Sequence, residues 1–321
     1  VRGRPRHGTG VSAHHAVLAS LPHQARAVVR ITGEDSLRFL QGLLTADVGE
    51  LTPGRATPAA LLTVKGKIVS EVWVLAIAKD EPWLVLPADI GEAVVAKLDS
   101  HIIMDDVELE LLAEHGCALV WRDPGEPVPN PSELDSREGV LAFTATHPLP
   151  GVLLVGPGQA LAQLSGPDVG EPASADQFTA ARIRCGCPAW GHEIAADRFP
   201  PEVGFVDAVS YDKGCYLGQE PLSRIHNRGQ VNRVMVRVKL SATPSGEGPH
   251  TLMAGDREVG ELSSWSAALD GLAIIKRAQA TPETALVAGD LAVTVISGPL
   301  GDDPGRASRA APATVTLGRR S

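Results

Sequence analysis

The apolar positions of this chain change period several times, and each change marks an element. Ala25–Ile31 alternates as a strand does, whereas Leu37, Leu40, Leu43 and Leu44 fall at helical spacing within Glu34–Leu44. Ala59–Val64 and Ile68–Ala78 read as two strands joined by a Lys65-Gly66-Lys67 turn, and Trp83–Leu86 reads as a third. Ile90, Val94, Val95 and Leu98 predict a helix, and Val107–Leu112 returns to strand. Pro124–Pro131 holds four prolines in eight residues, a stiff segment expected to mark a crossover between domains. Beyond it, strands are expected near Leu141 and over Val152–Val155, then a helix over Ala175–Arg184. Asp197–Gly204 contains Pro200-Pro201 and is expected to be a loop, and the helical stretch Leu217–Ile225 is interrupted by Pro221. After Gly229 the pattern is mostly strand, at Val231–Leu240, Glu258–Leu262, Ala273–Ile275 and Leu291–Ile296, which suggests a small β-barrel or sandwich. The two ends, 1–16 and 301–321, lack periodicity and are expected to be disordered. The whole predicts an α+β protein.

Composition narrows the class. A chain of 321 residues suits two or three domains, and 44% hydrophobic residues supply a sizeable core. A net charge of −9 argues against direct binding of a nucleic-acid backbone. No run reaches the ~18 apolar residues of a membrane span, and the N-terminal arginines are followed by no apolar core of a signal peptide. Four cysteines are too few for a disulfide framework. A reducing, cytoplasmic location is therefore expected.

Chemistry concentrates in Lys213-Gly214-Cys215-Tyr216-Leu217-Gly218-Gln219-Glu220. Two glycines let the backbone turn tightly there. A thiol near a lysine and ahead of a helix start is expected to ionise below the ~8.5 of a free cysteine. An ordinary tight turn is the competing reading. A second segment, Trp190-Gly191-His192-Glu193, sets an aromatic face near a carboxylate. Metal signatures are missing: after His192-Glu193, Ala196 and then Asp197 follow where a zinc-protease helix needs a second histidine, and Cys185-Gly186-Cys187 has no second cysteine pair at zinc spacing. Cys117 lies in the apolar run Cys117–Trp121 and reads as an inert core thiol.

The octapeptide resembles the signature of the YgfZ-type folate-binding proteins, bacterial relatives of the mitochondrial iron–sulfur assembly factor and paralogues of the glycine-cleavage T-protein. T-proteins share the positions matching Lys213, Tyr216, Gly218 and Glu220, while Cys215 and Gln219 point to the YgfZ side. Val28–Asp35 leading into Phe39–Asp47, Lys65-Gly66-Lys67-Ile68, and Arg182 through Gly204 resemble further blocks of the family in the same order. The resemblance implies a T-protein-like three-domain architecture. Its folate-binding domain would be discontinuous (17–58 and 135–228), with an α+β insert at 59–134 and a C-terminal β domain at 229–300. It also implies tetrahydrofolate or a derivative as cofactor. Trp190 would stack on the pterin and Glu193 would clamp its amino-pyrimidine edge. Tyr216 is a further candidate contact. Arg182 and Arg184 would pair with the folate tail or with Glu193, or form the solvated face of their helix. The implied role is assistance to assembly or repair of iron–sulfur clusters, including those of tRNA-thiolating enzymes. Cys215 would be the reactive group, Lys213 would favour its thiolate, and iron–sulfur proteins or their assembly factors would be the partners. One departure stands out: where T-proteins carry an acidic pair, this chain has Ser70 and Glu71. That weighs against the alternative, a folate-dependent aminomethyltransferase or demethylase.

Overall fold

The computed structural model describes residues 13–301 apart from 79–80, 124–125, 128, 135–138, 167 and 229–230. Two five-stranded sheets and a closed six-stranded barrel make up its frame. The first sheet comprises β2 (Arg26–Thr32), β3 (Ala56–Leu62), β4 (Ile68–Ala78), β5 (Glu81–Pro87) and β6 (Glu108–Leu111), in the order β3-β4-β5-β2-β6 and antiparallel throughout. The second has the order β10-β1-β7-β9-β8. Its members are β1 (Ala13–Val17), β7 (His115–Arg122), β8 (Leu141–Ala145), β9 (Gly151–Pro157) and the two-residue β10 (Glu171–Pro172).

Alternation decides how the sheets pack. Trp73, Leu75 and Val85 face Cys117, Leu119, Trp121, Phe143 and Leu153 in one core between the sheets. Val72, Val74 and Leu84 point the other way, onto α1 (Ser36–Leu43) and α2 (Gly91–Asp99) through Phe39, Leu40, Val94 and Leu98. The outer face of the second sheet is closed by Leu134 of α3 (Pro131–Leu134) and Leu161 of α4 (Gly158–Ala162).

α5 (Ala175–Cys185) opens with a capping box between Ser174 and Gln177 and closes on Gly186, whose φ of 69° is left-handed. α6 runs Gln219–Arg228, so Pro221 sits in its first turn, where no intrahelical donor is lost. The expected interruption is instead the helix start. The Asp197–Gly204 loop contains one 3-10 turn, Pro200–Val203.

The barrel is β11 (Arg233–Leu240), β12 (His250–Ala254), β13 (Arg257–Trp265), β14 (Asp270–Lys276), β15 (Ala285–Ala288) and β16 (Leu291–Val295), closed by β11 pairing with β16. Closure leaves no unpaired edge. The strand boundaries differ from the expected domain limits in three places. β1 begins at Ala13, inside the N-terminal stretch read as disordered. The 58/59 limit cuts β3, which pairs with β4 along its length. β7, within the expected insert, pairs instead with β1 and β9 of the second sheet. The Pro124–Pro131 linker lies partly, and the 302–321 tail wholly, outside the described residues.

Candidate functional site

The segment 208–220 is pinned at both flanks to the end of α1. The Thr45 hydroxyl donates to the Ala208 carbonyl, and the Ser210 N–H donates to the Thr45 carbonyl at 2.9 Å. The Leu217 N–H reaches the Gly42 carbonyl at 3.0 Å. Between these anchors the Lys213 ammonium, nearly buried, donates to the Leu44 and Ala46 carbonyls at 2.9 and 2.6 Å. It also lies 5.1 Å from the Tyr216 ring centre. Burial lowers its pKa to about 8, with Asp47 opposing.

Gly218 explains the spacing of the motif. Its φ is +79°, and a Cβ there would sit 2.4 Å from the Thr63 carbonyl oxygen. Gly66, in the turn between β3 and β4, would in turn press on Pro221 and on the Gly218 carbonyl. On its other side this turn meets the central block: the Ile68 N–H donates to the Arg198 carbonyl at 2.9 Å, and Lys67 Nζ lies 3.6 Å from the Phe199 ring centre. Blocks about 150 residues apart in sequence thus form one surface.

Cys215 is exposed at the tip of this braced loop. The expected electrostatic help from Lys213 is redirected, because that ammonium is committed to two backbone carbonyls. Helix α6 begins at Gln219, four residues beyond the thiol, rather than directly behind it. Around the loop, Tyr211 and His226 stack with ring centres 3.9 Å apart, and Glu220 pairs with Arg224 at 2.6 Å on the surface of α6.

The proposed pterin residues are spent on internal contacts. Glu193 is fully buried. One carboxylate oxygen accepts from Arg182 Nη1 at 2.8 Å and from the Ala189 N–H at 3.1 Å, and the other accepts from the Ser264 hydroxyl. Arg182 also donates to Ser264. Of the two readings for the arginines, Arg182 is the partner of Glu193, whereas Arg184 is half-exposed and pairs with Asp123 at 3.4 Å. Trp190 is buried among Leu62, Ile68 and Phe205, its indole N–H directed at the Asp89 carboxylate at 3.2 Å. Tyr216 lies in the same cluster, and its buried hydroxyl has no hydrogen-bond partner among the described residues. Burial raises that phenol's pKa. Trp190 and Glu193 therefore do not fit a pterin in the expected way, since neither an open indole face nor a free pair of carboxylate acceptors remains.

An open cleft of about 350 Å³ lies next to that ion pair. Thr179, Arg182, His192, Ser263, Ser264 and Trp265 are among its lining residues, so α5, the 189–194 turn and the barrel all contribute. His23 meets His192 edge-on at 5.7 Å. His192 is made harder to protonate, chiefly by burial and then by Arg182. The buried Ser263 hydroxyl has no partner among the described residues. No local pattern announced Ser263, Ser264 or Trp265, because the barrel brings them to α5 only in three dimensions.

Another buried group escaped the pattern. Glu71 accepts from Arg26 Nη2 at 2.6 Å and meets His147 Nε2 at 3.0 Å, all three nearly inaccessible. Burial alone would raise the Glu71 pKa, but Arg26 and the His147 hydrogen bond outweigh it and hold the carboxyl below its usual range. The Ser70 hydroxyl donates to the Glu71 carbonyl at 2.6 Å. Ser70 and Glu71 are thus both structural members of the interior.

Residues 21–121 match the family model described as the GCVT N-terminal domain. The chain is 27% identical over 246 residues to the mitochondrial iron-sulfur cluster assembly factor IBA57 homolog of Coccidioides immitis, covering 68% of this chain and 56% of that relative. Against the Neosartorya fischeri protein of the same name the identity is 28% over 263 residues, covering 70% and 58%. An uncharacterized protein of Haemophilus influenzae is 24% identical over 253 residues, covering 76% and 83%. The chain spans little more than half the length of the fungal relatives. Among solved structures, the glycine cleavage system aminomethyltransferase T from Bartonella henselae superposes with a TM-score of 0.72 at 17% identity, over 91% of this chain and 87% of that one. The fold is that of an aminomethyltransferase T-protein. Among the described residues no helix is long and apolar enough to cross a membrane.

Proposed function

We propose that this chain assists assembly or repair of iron–sulfur clusters, with Cys215 as the group that meets the cluster or its sulfur. The observation that carries the reading is the division of labour in the octapeptide. Lys213, Tyr216 and Gly218 are spent on bracing the loop, and Cys215 alone presents a soft, reactive atom outward. A cysteine thiolate is the ordinary protein ligand of iron–sulfur clusters, so an exposed one on a rigid loop can hold a cluster edge and yield it to a client's thiolates. The names of the fungal relatives support the same role. Iron–sulfur proteins, tRNA-thiolating enzymes among them, or their assembly factors are the partners in this reading.

Tetrahydrofolate or a derivative is proposed as the ligand of the cleft beside Trp265, not of Trp190 and Glu193. The unpartnered Ser263 hydroxyl and the Trp265 indole support a flat, polar-edged heterocycle there. When bound, a reduced folate would supply one-carbon chemistry. The fold favours a second reading, folate-dependent aminomethyl transfer, but Ser70 and the Arg26-bound Glu71 offer no free carboxylate at the position where the T-protein acid pair stands.

Complementation tests the main reading. In a strain lacking the chain, wild type should restore cluster-enzyme activities and Cys215→Ser should not, with equal thermal stability of the two proteins. Full restoration by Cys215→Ser would reduce the motif to a structural turn. Calorimetric titration with tetrahydrofolate addresses the ligand separately: binding should weaken at least tenfold in Trp265→Ala, and equal affinity would remove the cleft from the proposal.

A further inference from the structure

We propose that Cys185 and Cys187 form a redox-active dithiol that reacts with low-molecular-weight disulfides and closes a disulfide across Gly186. This site is independent of Cys215 and of the cluster reading.

The backbone places the two thiols together. α5 ends at Cys185, and the chain reverses through Gly186 with φ +69°. The Gly186 N–H donates to the Ile183 carbonyl at 3.0 Å and the Cys187 N–H to the Arg182 carbonyl at 2.9 Å, which fixes the position of both cysteines. A Cβ at Gly186 would meet Leu300 Cδ1 at 3.2 Å, and Leu300 is itself tied to the Met235 carbonyl at 2.8 Å. Any side chain between the cysteines would disturb this packing. The turn sets the two thiols two residues apart on either side of Gly186, Cys185 exposed and Cys187 half-buried. Arg237 reaches the Arg184 carbonyl at 3.1 Å, so two guanidinium groups flank the turn. Among the described residues no group of three or more His, Cys, Asp or Glu side chains is placed to hold a metal ion. The pair is thus better suited to exchange than to tetrahedral coordination.

The electrostatics divide the roles. Donation from the Cys187 thiol, opposed by burial and aided by Arg184 and Arg237, lowers the Cys185 pKa to about 7. The same hydrogen bond, together with burial, raises that of Cys187. Cys185 is therefore the attacking sulfur: its thiolate forms a bond to one sulfur of the incoming disulfide and expels the other as a thiolate. Its negative charge is then gone, which removes both the hydrogen bond and the repulsion that kept Cys187 protonated. Cys187 gives its proton to solvent, attacks the Cys185 sulfur and releases the second thiolate. One disulfide is reduced to two thiols, and two protein thiols are oxidised to one disulfide. Cys117 takes no part, since burial drives its pKa up to about 12.

The test uses the full chain in glutathione redox buffers, quenched with N-ethylmaleimide and digested with trypsin. Cleavage after Arg184 and Arg198 leaves both cysteines in one peptide, separate from the Cys215 peptide. The oxidised peptide should lose two hydrogens and carry no label. In Cys187→Ser, Cys185 should accumulate as a mixed disulfide with glutathione, whereas in Cys185→Ser the thiol at 187 should stay reduced. At pH 7, Cys185 should alkylate roughly threefold faster than an unperturbed thiol, the gain in thiolate being offset by lower nucleophilicity. Full labelling of both cysteines at every glutathione ratio, faster labelling of Cys187, or a link from this peptide to that of Cys215 would each overturn the proposal.

Discussion

Glu71 shows how one residue's surroundings reverse its chemistry. Its carboxyl is buried between the two sheets, yet Arg26 and His147 keep it ionised. Because the folded pKa lies below the ordinary value of 4.5, the stability it contributes is fully present above that pH. That stability is lost as pH falls through the folded value. Glu71→Gln leaves Arg26 buried without its counter-charge and should cost about 3–5 kcal/mol at neutral pH. Urea denaturation from pH 7 down to pH 3 checks both points. The variant should be less stable at pH 7, and its stability should fall less on acidification than that of wild type. Parallel curves would mean that other carboxylates carry the acid sensitivity.

At the scale of elements, close backbone approaches hold the candidate loop. Gly218 stands where the loop before α6 meets the turn between β3 and β4, and its positive φ leaves no room for a Cβ. Gly218→Ala should cost at least about 1–3 kcal/mol from the left-handed backbone alone, and the overlap with the Thr63 carbonyl adds to it. It should also loosen the Cys215 loop, which hydrogen exchange of residues 210–218 would report as lost protection. Gly214→Ala is the control, since nothing lies within 4 Å of its would-be Cβ. Equal protection in both variants would show that the loop is held by Lys213 and the Thr45 contacts alone.

Across the whole molecule, the barrel is joined to the rest by a buried polar cluster as well as by apolar contact. Arg182 of α5, Glu193 of the following turn and Ser264 of β13 share hydrogen bonds with almost no exposure. Ser264→Ala removes one partner from each charged group and should cost about 1–3 kcal/mol. The loss should be local: exchange protection should fall in 175–194 and 257–265 and persist in β4 and β5. A uniform fall would mean that sheets and barrel unfold as one unit without a weak seam.

The local pattern determined much of this protein. Ile68–Ala78 is β4 at both ends, and the period changes located α1, α2, α5 and most barrel strands, because burial on one face writes itself into residue spacing. β1, β12 and β15 were not legible. They are four or five residues long and take their place from partners distant in sequence. The octapeptide was visible as a motif whose glycines allow a tight turn; of the two, Gly218 packs its backbone against the Thr63 carbonyl and Gly214 stands in open space. What the tertiary structure alone decided was where each charge went. Lys213 turned to the carbonyls of residues 44 and 46, Glu193 to Arg182 and Ser264, and Glu71 to Arg26 and His147. A sequence states which polar groups exist. Burial then obliges each to take whatever complementary group the fold brings within reach, and those partners lie 11 to 169 residues away.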